Sequence, residues 1–170
     1  MTILAESATD EERKTYPHAD HDNHLRKAKA AEAEMNDDLH RAHVDPKIEC
    51  LTYDLQKVLL LPRIPTNIVY YKRQLSIVNL GIHCGSKNWL FYTWIETEGG
   101  RGAQDIGSVL KKHINECIPS KGETLIRWSD SCGGQNRNIK ICLLMQYVLY
   151  THPSLKSISF KYSEWTQCLA

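Results

Sequence analysis

Residues 128–138 read Trp-Ser-Asp-Ser-Cys-Gly-Gly-Gln-Asn-Arg-Asn, and they are the most informative stretch of the chain. The apolar run at 125–128 is typical of a buried strand, and the glycine-bearing turn after it leads into a helical pattern. A carboxylate such as Asp130 at the mouth of a buried strand is costly unless a metal, a cation or a substrate uses it. Asp54 lies in a similar setting within the apolar stretch 50–56. Two strand-borne aspartates predict a divalent-metal site of the kind that cuts or joins phosphodiesters.

Composition places the chain among soluble globular proteins. It has 170 residues, of which 42% are hydrophobic and 24% charged, enough for one domain with an appendage. The net charge of +1 conceals an asymmetry, because residues 1–49 hold 12 acidic and 7 basic side chains and residues 50–170 hold 8 and 14. The basic second part fits a polyanion such as DNA as partner.

The six cysteines and the first residues bear on the compartment. The cysteines are spread singly, which fits neither a zinc ribbon nor a disulfide framework. The N-terminus lacks the apolar core of a signal peptide, and no stretch approaches the roughly 20 apolar residues of a membrane span. We therefore expect a nuclear or cytoplasmic protein that is neither secreted nor membrane-bound.

Apolar periodicity divides the chain into four parts. Residues 1–21 are polar and predict a disordered N-terminus, and residues 22–47 predict a helical segment that ends at Asp45-Pro46. Residues 48–162 predict a core, and 163–170 form a divergent tail. Within the core, the β-branched and aromatic runs predict strands and the 3.6-residue patterns predict helices. The predicted strands are 48–56, 68–84, 88–96, 124–129 and 155–162, and the predicted helices are 103–117 and 136–150.

The resulting order, β-β-β-α-β-α-β, predicts an α/β fold with a mixed sheet and helices on its faces. It resembles the RNase H-like fold of RNase H, retroviral integrases and DDE/D transposases. In that fold the first acidic residue lies on the first strand, and the second lies at or just after the fourth. The two strands are neighbours, and the resemblance puts Asp54 and Asp130 in these two places. They would hold Mg²⁺ or Mn²⁺ through oxygen ligands.

A closer resemblance rests on five motifs. These are Tyr-Asp-Leu-Gln at 53–56, Leu-Pro-Arg-Ile-Pro-Thr at 61–66, Tyr-Tyr-Lys-Arg-Gln-Leu at 70–75, Gly-Gly-Arg-Gly at 99–102 and the stretch at 128–138. Together they are similar to an uncharacterised, transposon-derived family with a presumed RNase H-like, DDE-type core. The resemblance covers about residues 22–161. It implies metal-dependent cleavage and strand transfer of DNA, with Gly133, Gln135, Asn136 and Arg137 helping to position phosphates.

The end of the chain departs from that family. The family has a Gly-His-Ser segment and a further acidic residue after the fifth strand, whereas this chain has neither motif and offers only Glu164. We therefore expect a C-terminally truncated remnant that binds metal weakly and has little or no catalytic activity. The alternative is a non-enzymatic module that binds nucleic acid or another protein.

Each aspartate also has a purely structural interpretation. Asp54 is equally suited to an ion pair with Lys72, Arg73 or Arg137. Asp130 is equally suited to capping the helix that follows it. Residues 133–134 also resemble a phosphate-binding turn, but the Walker lysine pattern is missing.

Overall fold

The computed structural model describes residues 10–62, 74–85, 89–118 and 121–163, with side chains described from residue 22 onward. Within these ranges the chain forms an α/β fold, with three helices and a mixed six-stranded sheet. The elements are α1 (Asp10–Val44), β1 (Ile48–Leu55), β2 (Leu59–Leu61), β3 (Leu75–Cys84), β4 (Trp89–Ile95), α2 (Ala103–Cys117), β5 (Thr124–Asp130), α3 (Ile139–Thr151) and β6 (Ser157–Ser163).

The strands form one sheet in the spatial order β4, β3, β1, β5, β6. Strands β1, β5 and β6 are parallel, and β3 runs antiparallel to both β1 and β4. The short strand β2 continues the path of β1 along the same edge of β3, because Ile77 is opposite Leu59 on one side and Ile95 on the other. The prediction that the first and fourth strands of the pattern are neighbours is therefore confirmed.

Two apolar clusters hold the layers together. The larger lies between the sheet and helices α2 and α3, and Leu51, Leu80, Ile106 and Met145 are at its centre. The smaller lies on the opposite face, where α1 covers Cys50, Ile126 and Trp128. Because successive side chains of a strand point to opposite faces, the central strand β5 contributes to both clusters and is buried along almost its whole length.

The register of the parallel strands is fixed at the end of the sheet where they begin. The Lys47 carbonyl accepts hydrogen bonds from the amides of Glu123 and Thr124, at 2.8 and 3.0 Å. The Glu123 carbonyl in turn accepts from the amides of Lys156 and Ser157, at 2.7 and 3.2 Å. Each pair of bonds fixes where the next strand starts relative to its neighbour.

Several boundaries differ from the prediction. Helix α1 begins at Asp10, so residues 10–21, which we predicted to be disordered, are helical. Pro17 had suggested a break, but a proline removes one amide donor and the surrounding Glu, Lys, Arg and Ala residues favour a helix. The connection after β1 contains the short strand β2, which the prediction missed because its three leucines precede a proline.

Other predicted elements agree closely with the structure. Helix α2 has the predicted bounds, and β5 ends one residue later than predicted, at Asp130 itself. Helix α3 begins at Ile139 rather than 136, because the Asn138 side chain accepts a hydrogen bond from the Ile141 amide and caps the helix there. The first part of the predicted second strand, the turn at 86–87 and the tail from 164 lie outside the described residues.

Candidate functional site

The strand register brings the two predicted aspartates together. Thr52 on β1 is opposite Trp128 on β5, so continuing the parallel register by two residues sets Asp54 opposite Asp130. Neighbouring strands lie about 4.8 Å apart, and residues that are opposite each other point to the same face. Both carboxylates therefore lie side by side on the face of the sheet that α1 covers in part.

The two aspartates line one pocket of about 240 Å³. Met35 of α1 closes one side of it, and Trp89 and Trp128 supply aromatic walls. Asp54 is exposed and Asp130 is half-buried, so both carboxylates are within reach of a solute. The arrangement is an open, acidic pocket with aromatic sides at the end of the sheet where the parallel strands finish.

Burial and the neighbouring Asp130 both affect the pKa of the Asp54 carboxyl. Partial burial raises the pKa of its carboxyl above the ordinary range, and the negative charge of Asp130 raises the pKa further. A hydrogen bond from the Leu55 backbone opposes these two effects. A divalent cation between the two carboxylates would remove the repulsion that raises this pKa.

The loop between β5 and α3 holds the Asp130 carboxylate in place. Asn136 is 3% exposed, and its side-chain amide donates a hydrogen bond to Oδ1 of Asp130. The Cys132 amide also donates to that oxygen, at a long 3.4 Å. Within the described residues no donor lies on Oδ2, which is therefore the oxygen available to a ligand. The structural alternative for Asp130, capping of α3, is wrong because Asn138 caps that helix.

A buried arginine lies beneath this loop. Arg127 is 1% exposed, and its guanidinium lies between the rings of Tyr53 and Phe160, with centroids at 5.1 and 4.9 Å. Its Nη2 donates to the Ser129 hydroxyl at 3.4 Å and to the Asn136 carbonyl at 3.3 Å. Its Nε and Nη1 have no hydrogen-bond partner among the described residues. The arginine thus fixes the Asn136 backbone whose side chain fixes Asp130.

Tyr53, one of the two rings beside Arg127, is itself affected by burial. Burial raises the pKa of Tyr53 to about 12, and the nearby Arg127 charge only partly opposes this rise. The Ser129 hydroxyl lies close to the Tyr53 hydroxyl but outside hydrogen-bond geometry. Tyr53 therefore stays a neutral phenol and contributes its ring, not a charge, to the site.

The four residues predicted to position phosphates, Gly133, Gln135, Asn136 and Arg137, do not all lie at the aspartate pocket. Gly133 lies in a separate groove of about 340 Å³ between the beginnings of α2 and α3, away from the aspartate pocket. The Arg137 guanidinium lies over the Tyr162 ring, 5.8 Å from its centroid. The amides of Gln135, Asn136 and Arg137 all donate to the Cys132 carbonyl, at 2.8–3.2 Å. The structure thus ties Asn136 to Asp130 directly and the other three to the loop around it.

The alternative role of Asp54, an ion pair with Lys72, Arg73 or Arg137, can be examined in the structure only for Arg137. Lys72 and Arg73 lie outside the described residues, and the Arg137 guanidinium is engaged with an aromatic ring. In the part of the chain that the structure describes, no basic side chain lies within ion-pair distance of Asp54. The carboxylate therefore has no protein cation there that would satisfy it.

An ion pair that the sequence did not reveal anchors α1 beside the pocket. The buried Asp38 carboxylate accepts hydrogen bonds from Nζ of Lys161 at 2.7 Å and from Nε1 of Trp128 at 3.0 Å. Lys161 also reaches the exposed carboxylate of Glu34 at 2.7 Å. These contacts join residues 90 or more positions apart, so no local pattern signals them. Lys161 therefore pairs with the carboxylates of both Glu34 and Asp38.

No group of three or more His, Cys, Asp or Glu side chains arranged to hold a metal ion occurs among the described residues. Among the described residues, the candidate site therefore consists of two carboxylates. None of the three helices, over the residues described, is long and apolar enough to cross a bilayer.

Comparisons with protein-family models, with curated proteins and with solved structures found no match to this chain.

Proposed function

We propose that this chain is an RNase H-like domain of DDE-transposase type, whose Asp54 and Asp130 bind one divalent cation and bring it to the phosphates of DNA. The observation that supports the proposal is that Asp54 and Asp130 lie two residues beyond the last paired positions of adjacent parallel strands and line one pocket. The element order and the adjacency of those strands are those expected for the first and second acidic residues of that fold.

The chemistry of the pocket fits Mg²⁺ or Mn²⁺. These ions prefer carboxylate oxygens and retain several waters, so one or two protein carboxylates suffice for binding when phosphates complete the shell. Asp54 is exposed, and Oδ2 of Asp130 is available because Asn136 and Cys132 occupy Oδ1. When bound, the ion would supply charge neutralisation at a phosphate and activation of a water or hydroxyl group.

Weak binding and little or no catalysis are what we expect from the two carboxylate ligands found among the described residues. Two metals about 3.5–4 Å apart need a larger set of acidic ligands than one aspartate pair offers. The other carboxylates close to this face, Glu34 and Asp38, are engaged by Lys161. We expect one cation per chain and an affinity in the millimolar range.

Manganese binding followed by electron paramagnetic resonance tests the proposal. Addition of the protein to Mn²⁺ should decrease the signal of the free ion in proportion to one site. Asp54→Asn and Asp130→Asn should each abolish that decrease, and Asp37→Asn on the exposed face of α1 should leave it unchanged. Equal binding by all four proteins would refute the assignment of the site.

Plasmid nicking tests the statement about catalysis separately. We expect no more nicking of supercoiled DNA by the wild type than by the Asp54→Asn variant, in either Mg²⁺ or Mn²⁺. Robust metal-dependent nicking that both aspartate variants abolish would show a competent nuclease and overturn that part of the proposal.

The alternative of a non-enzymatic nucleic-acid-binding module differs from this proposal only in the role of the metal. Binding that depends on phosphate contacts falls steeply with ionic strength whether or not a metal is present. If strand binding proceeds in EDTA and Mn²⁺ binding is not detected, the chain is better described as such a module.

A further inference from the structure

Three aromatic side chains form a continuous surface on β3 and β4, which we call the aromatic row: His83, Trp89 and Phe91. The rings of His83 and Trp89 are stacked with centroids 4.8 Å apart and an angle of 27°, and those of Trp89 and Phe91 are 6.3 Å apart at 14°. Trp89 and Phe91 are each 56% exposed. Rings this large are seldom left so open unless something covers them.

The strand register places the aromatic row beside the aspartate pair. Gly81 on β3 is opposite Asp54 on one side and Phe91 on the other, so all three share one face of the sheet. Two residues further along β3, His83 is opposite Thr52 on β1 and Trp89 on β4. Because adjacent strands are about 4.8 Å apart, the backbone of Phe91 lies about 10 Å from that of Asp54.

A glycine makes this close approach possible. A Cβ atom at position 81 would lie 3.3 Å from Cε1 of Phe91, so the ring covers Gly81 directly. With nothing larger than hydrogen at that position, the Phe91 ring lies against the sheet next to Asp54. Trp89 lines the same pocket as Asp54 and Asp130. The aromatic row and the acidic pair therefore form one continuous surface.

The combination of rings and carboxylates indicates what occupies this surface. An apolar protein partner seated on the aromatic row would also cover Asp54 and Asp130 and bury two unpaired charges, which is costly. A nucleotide has both of the complementary features, because its base offers a π face and its phosphate can share a cation with the carboxylates. Stacking of bases on aromatic side chains accepts any base and needs the base to be unpaired.

We propose that the aromatic row binds an unpaired base of a nucleic-acid strand whose adjoining phosphate lies at the Asp54–Asp130 pair. The inference rests on the proposed function for the choice of partner, and it adds the substrate class. The strand must be single-stranded, or frayed at an end, where it passes the pocket. Trp89 is the residue to test because it is 56% exposed and lines the pocket that holds the two aspartates.

Fluorescence anisotropy of a labelled 12-nucleotide oligothymidine tests this inference in the presence of Mg²⁺, which the phosphate needs at the two carboxylates. Trp89→Ala should weaken binding about 5- to 100-fold, because stacking contributes about 1–3 kcal/mol per base. Trp89→Tyr should retain most of the affinity. Tyr150→Ala, which removes an exposed aromatic ring from α3, should leave the affinity unchanged and serves as the matched control. A fully paired duplex of the same length should compete poorly.

Several results would overturn the inference. These are no measurable binding of the oligonucleotide, equal affinities of the wild type and Trp89→Ala, or equal competition by duplex. A concentration-dependent dimer that Trp89→Ala abolishes in light scattering would assign the surface to a second copy of the chain instead. Failure of the proposed function shows separately, as Mn²⁺ binding that does not depend on Asp54 in the electron paramagnetic resonance experiment, which contains no DNA.

Discussion

Replacement of Asp54 by asparagine should have opposite effects on stability with and without metal. In EDTA the substitution removes the repulsion between two carboxylates that line the same pocket, where the charge of Asp130 helps to raise the pKa of Asp54. With Mn²⁺ present, the same substitution removes a ligand of the native state. We therefore expect the variant to melt above the wild type in EDTA and below it at a Mn²⁺ concentration of at least about ten times the Kd.

The size of each effect follows from the geometry. Two unit charges about 5 Å apart interact by about 0.8 kcal/mol in water and about twice that at a dielectric constant of 40. Since Asp54 is exposed, about 1 kcal/mol is the reasonable value, which corresponds to about 2–4 °C in Tm for a domain of this size. A cation present at about ten times its Kd stabilises the native wild type by about 1.4 kcal/mol.

The pH dependence gives a second check of the same reasoning. The folded-state pKa of Asp54 is raised by burial and by Asp130, so folding favours its protonated form. The wild type then retains this stability below the unfolded pKa of about 4 and loses it as the pH rises through the folded pKa. The difference in Tm in EDTA should vanish below about pH 4 and be complete near neutrality.

Differential scanning calorimetry of the wild type, Asp54→Asn and the surface control Asp37→Asn measures all of these quantities. The control should show no dependence on metal. If Asp54→Asn destabilises the protein in EDTA at pH 7, or if its effect has the same sign with and without Mn²⁺, the two carboxylates do not form the pair described above.

Three further predictions concern the surroundings of the pocket. Asp38→Ala should lower the free energy of unfolding by about 2–4 kcal/mol, because it leaves buried donors unpaired; Glu34→Gln should cost at most about 1 kcal/mol, since that carboxylate is exposed, and urea denaturation of the two variants compares them. Equal losses would contradict the assignment of Asp38 as the buried anchor. Burial, with nearby acidic charges, raises the pKa of Cys50 to about 12, so maleimide at pH 8 should label the exposed Cys142 and spare Cys50 by mass spectrometry; equal labelling would mean that α1 does not cover the sheet. Asn136→Ala should weaken Mn²⁺ binding about 10-fold, because groups that orient a ligand affect affinity to that extent, and unchanged affinity would show that the carboxylate needs no such support.

The sequence was sufficient for the elements whose patterns are local. Helix α2 shows a regular 3.6-residue spacing, and β5 is an uninterrupted apolar run that ends at Asp130, so both were predicted closely. The pairing of Asp54 with Asp130 required knowledge of which strands are adjacent, and it came from the resemblance to a known fold. Strand β2 escaped notice because three leucines before a proline carry no periodicity.

The parts of the site that were missed depend on contacts across the sheet or between distant elements. The aromatic row is assembled from two strands, and only their register shows that His83 and Trp89 are opposite each other. Arg127 was visible as a basic residue within an apolar run, but nothing local indicates that its guanidinium lies between two rings. Such features depend on contacts between residues that are distant in the sequence, and these contacts leave no local sequence pattern.

The bifurcated hydrogen bonds at the Lys47 and Glu123 carbonyls have a consequence for how such a domain can change. They lie about seven residues, or roughly 23 Å along the strands, from the aspartates whose alignment they determine. A one-residue insertion or deletion there would shift β5 by one position and point Asp130 to the opposite face of the sheet. The pocket would then be dismantled although every residue lining it was retained. The connections where the parallel strands begin are thus under the same constraint as the pocket itself. A comparison of the side chains that line the pocket would not reveal that the alignment of the strands had been lost.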